Sequence, residues 1–330
     1  MKDLLNLIRK QEIPKRSQEI LEGFASSYAQ VLKKRGFSDE LTQKNFLNFL
    51  HAAIEHFTHP YQFALYHKSV RKPFDYHQFG IDFIEPLIDL EKSTITGEEN
   101  LKKIDEFTKR GENVILLANH QTESDPQIWS VMLKETYPEL AQNLILVAGE
   151  RVIKDPVAIP FSLGCNLLCI YSKKHIENPP EEQHRKQLHN KETMEKMREL
   201  LTEGGKCIYV APSGGRDRPD EKGEIAIAPF DPKSIEMFYL MAKKAKTPVH
   251  FFSLTMDTYL ILPPPDTLEK DLGERRITIG GPVHLGFGDE IDMESFPGSD
   301  ESNKQARRQN RANYIWDIVD KTYKLFPKDK

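Results

Sequence analysis

The sequence predicts an α/β fold: a mainly parallel, mixed sheet flanked by helices and preceded by a small N-terminal helical bundle. Three observations carry that expectation. From about residue 76 onward, short apolar runs alternate with stretches whose apolar residues recur every three or four positions. Before that point only the helical spacing occurs. The run Val114 to Ala118 is wholly apolar, as a strand buried on both faces of a parallel sheet should be. The expected division is a helical bundle over residues 1–75 and an α/β domain over residues 76–330. The loop through Arg71-Lys-Pro-Phe-Asp is the boundary.

Within the first segment, Ser17 can cap a helix carrying Ile20, Leu21, Phe24, Tyr28, Val31 and Leu32, and Gly36 ends it. Ser38 can cap a second, with Phe46, Phe49, Leu50 and Ala53 on one face. His51, His56, His59 and His67 fall here and read as surface or packing residues, because no His-Glu-x-x-His pair is present. Next, Thr96-Gly-Glu-Glu99 reads as a capping box for a helix that stops at Gly111. Strands are expected at Val114–Ala118, Leu144–Ala148, Leu167–Tyr171, Cys207–Val210 and Val249–Leu254. Arg276–Ile279 and Val283–Leu285 read as edge strands. Helices are expected after Asp125, around Met194 to Leu201, over Ser234 to Ala245, and over Asn303 to Phe326.

Composition narrows the functional classes. A chain of 330 residues with 38% hydrophobic and 29% charged residues has enough apolar material for a core and reads as soluble. A net charge of −4 supplies no global basic field to draw it to nucleic acid. No window reaches the apolar length needed to span a bilayer. The opening residues, Met1 to Ile8, match neither a signal peptide nor a transit peptide. Cys165, Cys169 and Cys207 form no Cys-x-x-Cys pair, which fits a reducing compartment.

Three polar clusters follow predicted strands. The first is Asn119-His-Gln-Thr-Glu-Ser-Asp125, at the end of the Val114 run. A strand-to-helix turn of this length lets the Asp125 carboxylate fold back onto the His120 imidazole. One ring nitrogen is then fixed and the other is left as a base. The second is Ser172-Lys-Lys-His175, and the third is Ala211-Pro-Ser-Gly-Gly-Arg-Asp-Arg218. Taken singly, each has an ordinary explanation: Asp125 as a helix N-cap, the others as solvated basic loops. Taken together, parallel strands would bring all three to one sheet edge, where ligands of open α/β sheets gather. His120 and Asp125 would then face a pocket lined by Lys173, Lys174, His175, Arg216 and Arg218, with Lys174 and His175 coming from a strand end that neighbours that of the two arginines. Arginine forks match phosphate oxygens, and Gly214-Gly215 allows backbone amides to converge on an anion.

These three blocks resemble the signature blocks of the soluble, plastid-type glycerol-3-phosphate acyltransferases. Gly149-Glu-Arg-Val-Ile-Lys-Asp-Pro156 and Ile159-Pro-Phe-Ser162 resemble the segments that join them, and the likeness runs from about Thr96 to Leu285. Ser213 and Gly215 stand where lysophosphatidate acyltransferases of the wider superfamily often carry Glu and Thr. The resemblance implies an acyltransferase acting on glycerol 3-phosphate at its sn-1 hydroxyl, with acyl carrier protein or CoA carrying the acyl thioester. It further implies His120 as general base, Asp125 as the residue that orients it, and Lys174, His175, Arg216 and Arg218 as the phosphate site. No metal or cofactor is expected, since a thioester is already activated. Lys243, Lys244 and Lys246 form one local candidate for docking an acidic carrier protein, or simply a solvated helix end. Competing readings are a 1-acylglycerol-3-phosphate acyltransferase, a metal-dependent phosphohydrolase using His and Asp as ligands, and a non-catalytic lipid or carrier-protein binding module. The expected compartment is the cytoplasm of a bacterium or a plastid stroma, with at most peripheral membrane contact.

Overall fold

The computed structural model describes residues 2–172, 176–265 and 274–328. In chain order it begins with α1 (Lys2–Arg9), α2 (Lys15–Lys34) and α3 (Asp39–Ile54). A short strand β1 (Tyr66–His67) precedes α4 (Tyr76–Ile84), β2 (Thr94–Thr96) and α5 (Glu98–Lys109). Next come β3 (Asn113–Ala118), α6 (Asp125–Leu133), α7 (Pro138–Asn143) and β4 (Ile145–Gly149). They are followed by α8 (Glu150–Lys154), α9 (Ile159–Leu163) and β5 (Asn166–Ile170). The chain continues through α10 (Gln183–Glu203), β6 (Cys207–Val210) and a small ribbon of β7 (Arg218–Pro219) and β8 (Ile225–Ala226). It ends with α11 (Pro232–Lys244), β9 (Val249–Asp257), β10 (His284–Glu290) and α12 (Lys304–Leu325).

Among the described residues, the main sheet has the order β1-β5-β4-β6-β3-β9-β10-β2. Its central strands β5, β4, β6, β3 and β9 are all parallel. The strands β1 and β10 are antiparallel to their neighbours β5 and β9, and β2 is parallel to β10. This is the mainly parallel mixed sheet that the alternating pattern predicts. Its central strand shows why that pattern is legible. Every residue of β3 is buried, and successive side chains leave opposite faces. Val114, Leu116 and Ala118 pack with Leu101, Ile104, Trp129 and Leu133 from α5 and α6. Ile115 and Leu117 pack with Met197, Leu201, Phe238, Ile315 and Val319 from α10, α11 and α12. Full burial of side chains of this size contributes roughly 1.5–3 kcal/mol each.

Several helices begin with a side-chain cap that local chemistry supplies. Ser38 accepts from the Leu41 amide, Asp231 from Ser234, and Asn303 from Gln305 and Ala306. The helical segment is held by an aromatic cluster of Phe24, Phe46, Phe49 and Phe83, joined by Phe161. The Tyr28 hydroxyl donates to the Phe83 carbonyl at 2.9 Å and accepts from Asn45 at 3.1 Å. This core runs on through Ile84, Leu87, Ile128 and Val283. Packing therefore crosses residue 75 without a break, and β1 already belongs to the main sheet.

Several local readings need correction. Ser17 lies inside α2, which opens at Lys15 after Pro14 with no side-chain cap. The Val283–Leu285 run falls largely in β10, an inner strand between β9 and β2 and not an edge. Arg276–Ile279 forms no strand. Arg276 and Thr278 point inward and Ile277 and Ile279 outward, so the alternation there marks an extended segment that buries polar groups. The β5 strand end is not next to that of β6, because β4 lies between them. The capping box at Thr96 to Glu99 does not form. Thr96 closes β2, and Gly97 precedes α5 with φ +74° and no side-chain cap. A left-handed residue here is tolerable only without a side chain: a Cβ on Gly97 would lie 1.9 Å from the Phe287 carbonyl oxygen. Gly97→Ala should therefore cost about 1 kcal/mol or more, read as a lower midpoint in urea unfolding.

Candidate active site

The site begins where β3 runs out of apolar residues. Asn119, fully buried, bonds the edge of β9 through both ends of its amide. Its Nδ2 donates to the Met256 carbonyl and its Oδ1 accepts from the Met256 amide, each at 2.8 Å. Gln121 makes the next tie, its Oε1 accepting from the amides of Thr258 and Tyr259. Between these two anchors, His120 stands partly exposed, with 28% of its side chain accessible.

Asp125 Oδ2 lies 2.7 Å from His120 Nδ1. The Asp125 side chain is only 1% exposed and accepts from three further donors: the amides of Gln121 at 3.0 Å and Thr122 at 3.3 Å, and the Thr258 hydroxyl at 2.6 Å. A carboxylate only accepts, so Nδ1 carries the hydrogen and Nε2 keeps its lone pair. Asp125 is not the cap of α6. Ser124 precedes the helix, Asp125 and Pro126 open it, and the carboxylate reaches back into the turn instead.

The loop after β6 is tied directly to this turn. The Asp217 amide donates to the His120 carbonyl at 2.7 Å, and the Tyr209 hydroxyl donates to the Asn119 carbonyl at 2.6 Å. Asp217 itself faces inward and is fully buried. Its Oδ1 accepts from the Ala228 amide and its Oδ2 from Asn119 Nδ2. Burial pushes its carboxyl up to about 6, although these donors oppose the shift. With Asp217 directed inward, its neighbours Arg216 and Arg218 project elsewhere. Arg216 Nη2 lies 2.5 Å from Glu274 Oε2, and its Nη1 lies 3.7 Å from Glu123 Oε1. Arg218 donates to the Pro265 carbonyl. Lys174 and His175 lie outside the described residues. The structure thus brings His120, Asp125, Arg216 and Arg218 to one sheet edge.

A charged cluster continues from Arg216. Glu274 also pairs with Arg151, and Arg276 donates to Glu123 and to Asp155. Arg276 is 4% exposed. Burial works against its charge, but Asp155 and Glu123 outweigh that and raise its pKa. Glu123, Arg151 and Asp155 fall within the blocks that carry the family resemblance, but no local spacing links them to Glu274 or Arg276. Elsewhere, Lys243 of the candidate docking patch pairs with Glu294 at 2.7 Å. Among the described residues no three His, Cys, Asp or Glu side chains are grouped to hold a metal ion.

The upward shift at Asp217 has a pH consequence. The folded protein holds this proton up to about pH 6, whereas the unfolded chain releases it near 3.8. The group's contribution to stability is complete below about pH 4 and is lost as pH rises through about 6. The shift is roughly two pH units, or about 3 kcal/mol. Asp217→Asn, though destabilised by the loss of one acceptor, should lack this part of the pH slope. Urea unfolding of both proteins at pH 4.5 and 6.5 measures it, and equal slopes would refute the assignment.

Comparison with known proteins bears on what this edge serves. Residues 92–256 match the Acyltransferase family, a span that includes the His120 turn and the Arg216 loop. Two proteins of Cucurbita moschata, the chloroplastic glycerol-3-phosphate acyltransferases ATS12 and ATS11, are each 36% identical over 330 residues. The match covers 98% of this chain and 71% and 74% of theirs. The chloroplastic glycerol-3-phosphate acyltransferase of Spinacia oleracea is 38% identical over 268 residues, 80% of this chain and 57% of its own. Identity of this extent, over a chain whose sheet edge carries the His–Asp pair, makes the protein an acyltransferase enzyme that belongs to the glycerol-3-phosphate acyltransferase family.

Proposed function

We propose that the protein transfers a fatty acyl group from an acyl thioester to the sn-1 hydroxyl of glycerol 3-phosphate, with His120 as general base. The observation that carries this reading is the 2.7 Å contact between His120 Nδ1 and the buried Asp125 carboxylate, which leaves Nε2 as the basic nitrogen. An alcohol is a weak nucleophile near neutral pH and needs a base at the moment of attack. Nε2 takes the hydroxyl proton as the oxygen adds to the thioester carbonyl. The tetrahedral intermediate then collapses, the C–S bond breaks, and the departing thiolate takes the proton back from the imidazolium. Asp125 holds the ring in position throughout and balances its transient positive charge.

The phosphate is assigned to Arg216 and Arg218, on the loop bonded to the His120 carbonyl. The reading keeps Lys174 and His175 as further partners. The thioester carrier is acyl carrier protein or CoA. No helix among the described residues is long and apolar enough to cross a membrane, and the relatives are named as chloroplastic. The compartment under this reading is a plastid stroma, or the cytoplasm if the source is bacterial. Membrane contact is at most peripheral.

His120→Ala should abolish turnover and lower the melting temperature only modestly, since the ring is partly exposed although it donates to the buried Asp125 carboxylate. Asp125→Asn should impair turnover and also lower stability, because its carboxylate satisfies the amides of a buried turn. A His120→Ala enzyme with near-normal kcat removes this residue from the mechanism.

For the phosphate, a hydrogen bond to a charged group contributes roughly 1.5–3 kcal/mol, which corresponds to about a tenfold to hundredfold loss of affinity. Arg218→Ala should raise KM for glycerol 3-phosphate by about that factor and leave KM for the acyl thioester almost unchanged. Steady-state kinetics with both substrates varied decide the matter. A rise for both substrates, or for neither, rejects this loop as the phosphate site.

A further inference from the structure

The Arg216 guanidinium already holds an anion that belongs to the protein. Glu274 Oε2 sits 2.5 Å from Arg216 Nη2, and Glu274 Oε1 pairs with Arg151. One carboxylate thus bridges two arginines, as two oxygens of a phosphate would. Glu274 is only 5% exposed and Arg216 12%. Counting Glu123, Asp155 and Arg276, the ion pairs among the described residues join three cations and three anions. A phosphate dianion added beside all three carboxylates would meet like charges at close range.

Glu274 is the carboxylate paired with the two more exposed cations of the cluster, Arg216 and Arg151. Glu123 and Asp155 both pair with Arg276, a nearly buried cation whose charge needs close partners. The backbone carbonyl of Glu274 also accepts from Arg276 Nη1 at 3.1 Å. The main chain is thereby anchored independently of the carboxylate, and a rotation of the side chain alone releases Arg216.

We propose that Glu274 competes with the substrate phosphate for Arg216. Its carboxylate and the phosphate are alternative partners of that guanidinium. Glu274 thereby sets the affinity for glycerol 3-phosphate. This inference rests on the assignment of the phosphate to the Arg216 loop. If the carboxylate holds Arg216 in about nine of ten molecules, the observed affinity is about tenfold weaker than the intrinsic one.

Glu274→Gln should lower, by about tenfold, both KM for glycerol 3-phosphate and the inhibition constant of inorganic phosphate. KM for the acyl thioester should not move. A purely structural Glu274 predicts the reverse, because an unheld Arg216 would bind phosphate less well. A glycerol 3-phosphate KM that stays within twofold or rises, in a variant with the parent melting temperature, overturns the proposal. If the glutamine variant melts early, Glu274→Asp, whose carboxylate is drawn back by one methylene, is put to the same measurement. A lowered KM there supports the competition, and an unmoved or raised one overturns it. Arg216→Ala separates the two levels of the argument. An unchanged KM there rejects the phosphate assignment itself. A raised KM beside an unmoved Glu274→Gln rejects only the competition.

Discussion

A carboxylate taken out of water must be matched by donors, or its burial is prohibitive. Asp125 meets that condition with two backbone amides, the Thr258 hydroxyl and one imidazole nitrogen. Much of the site follows from this one requirement. The amides come from Gln121 and Thr122, so the turn after β3 must curl around the carboxylate. The hydroxyl comes from the residue after β9, so β3 and β9 must be adjacent and in register, as the pairing of Ala118 with Leu254 provides. The imidazole is then the only one of the four partners that faces outward, and its second nitrogen is set by where the first is held. The same interaction therefore closes a buried turn and orients a base.

A second tie explains why the loop after β6 belongs to the same construction. Asn119 bonds Met256 on one side and Asp217 on the other, and the Asp217 amide meets the His120 carbonyl. The His120 turn is thus fixed laterally to both neighbours of β3. Preorganisation of this kind is what a base needs, since a displacement of about 1 Å can cost two orders of magnitude in rate.

The features that depend on near neighbours were legible in the sequence. An all-apolar β3, the Ser38 and Asn303 caps, and the His-x-x-x-x-Asp spacing each follow from a few adjacent residues. The His–Asp contact was readable because a single turn spans it. The residues that hold the arginines were not. Glu123, Asp155, Glu274 and Arg276 meet through the fold, and no period or spacing announces their pairing. The buried role of Asp217 has no local signal either, because it depends on the Ala228 amide and on Asn119, which the fold brings to it. At Arg276–Ile279 the alternation was real, but its polar side faces inward because acidic partners wait there. A rule built on apolar interiors misassigns such a segment.

The charge balance bears on how this chain could hold an anion at all. Its net charge is −4, so at distances beyond a Debye length, about 8 Å at physiological ionic strength, the protein offers a phosphate no attraction. Recognition has to be local, through guanidinium groups placed at hydrogen-bond distance. Arginines gathered closely enough to do this repel one another, and half-buried cations also lose hydration. Interleaved carboxylates relieve both problems and hold the arginine side chains in place. They also neutralise the field that an anion would seek. A site of this kind gains order at the expense of affinity, and which carboxylate yields decides how much affinity is recovered. In this fold, Glu123 and Asp155 are bound to the most buried cation, whereas Glu274 spans Arg216 and the more exposed Arg151. The packing that stabilises the cluster therefore also selects the partner that the substrate can displace.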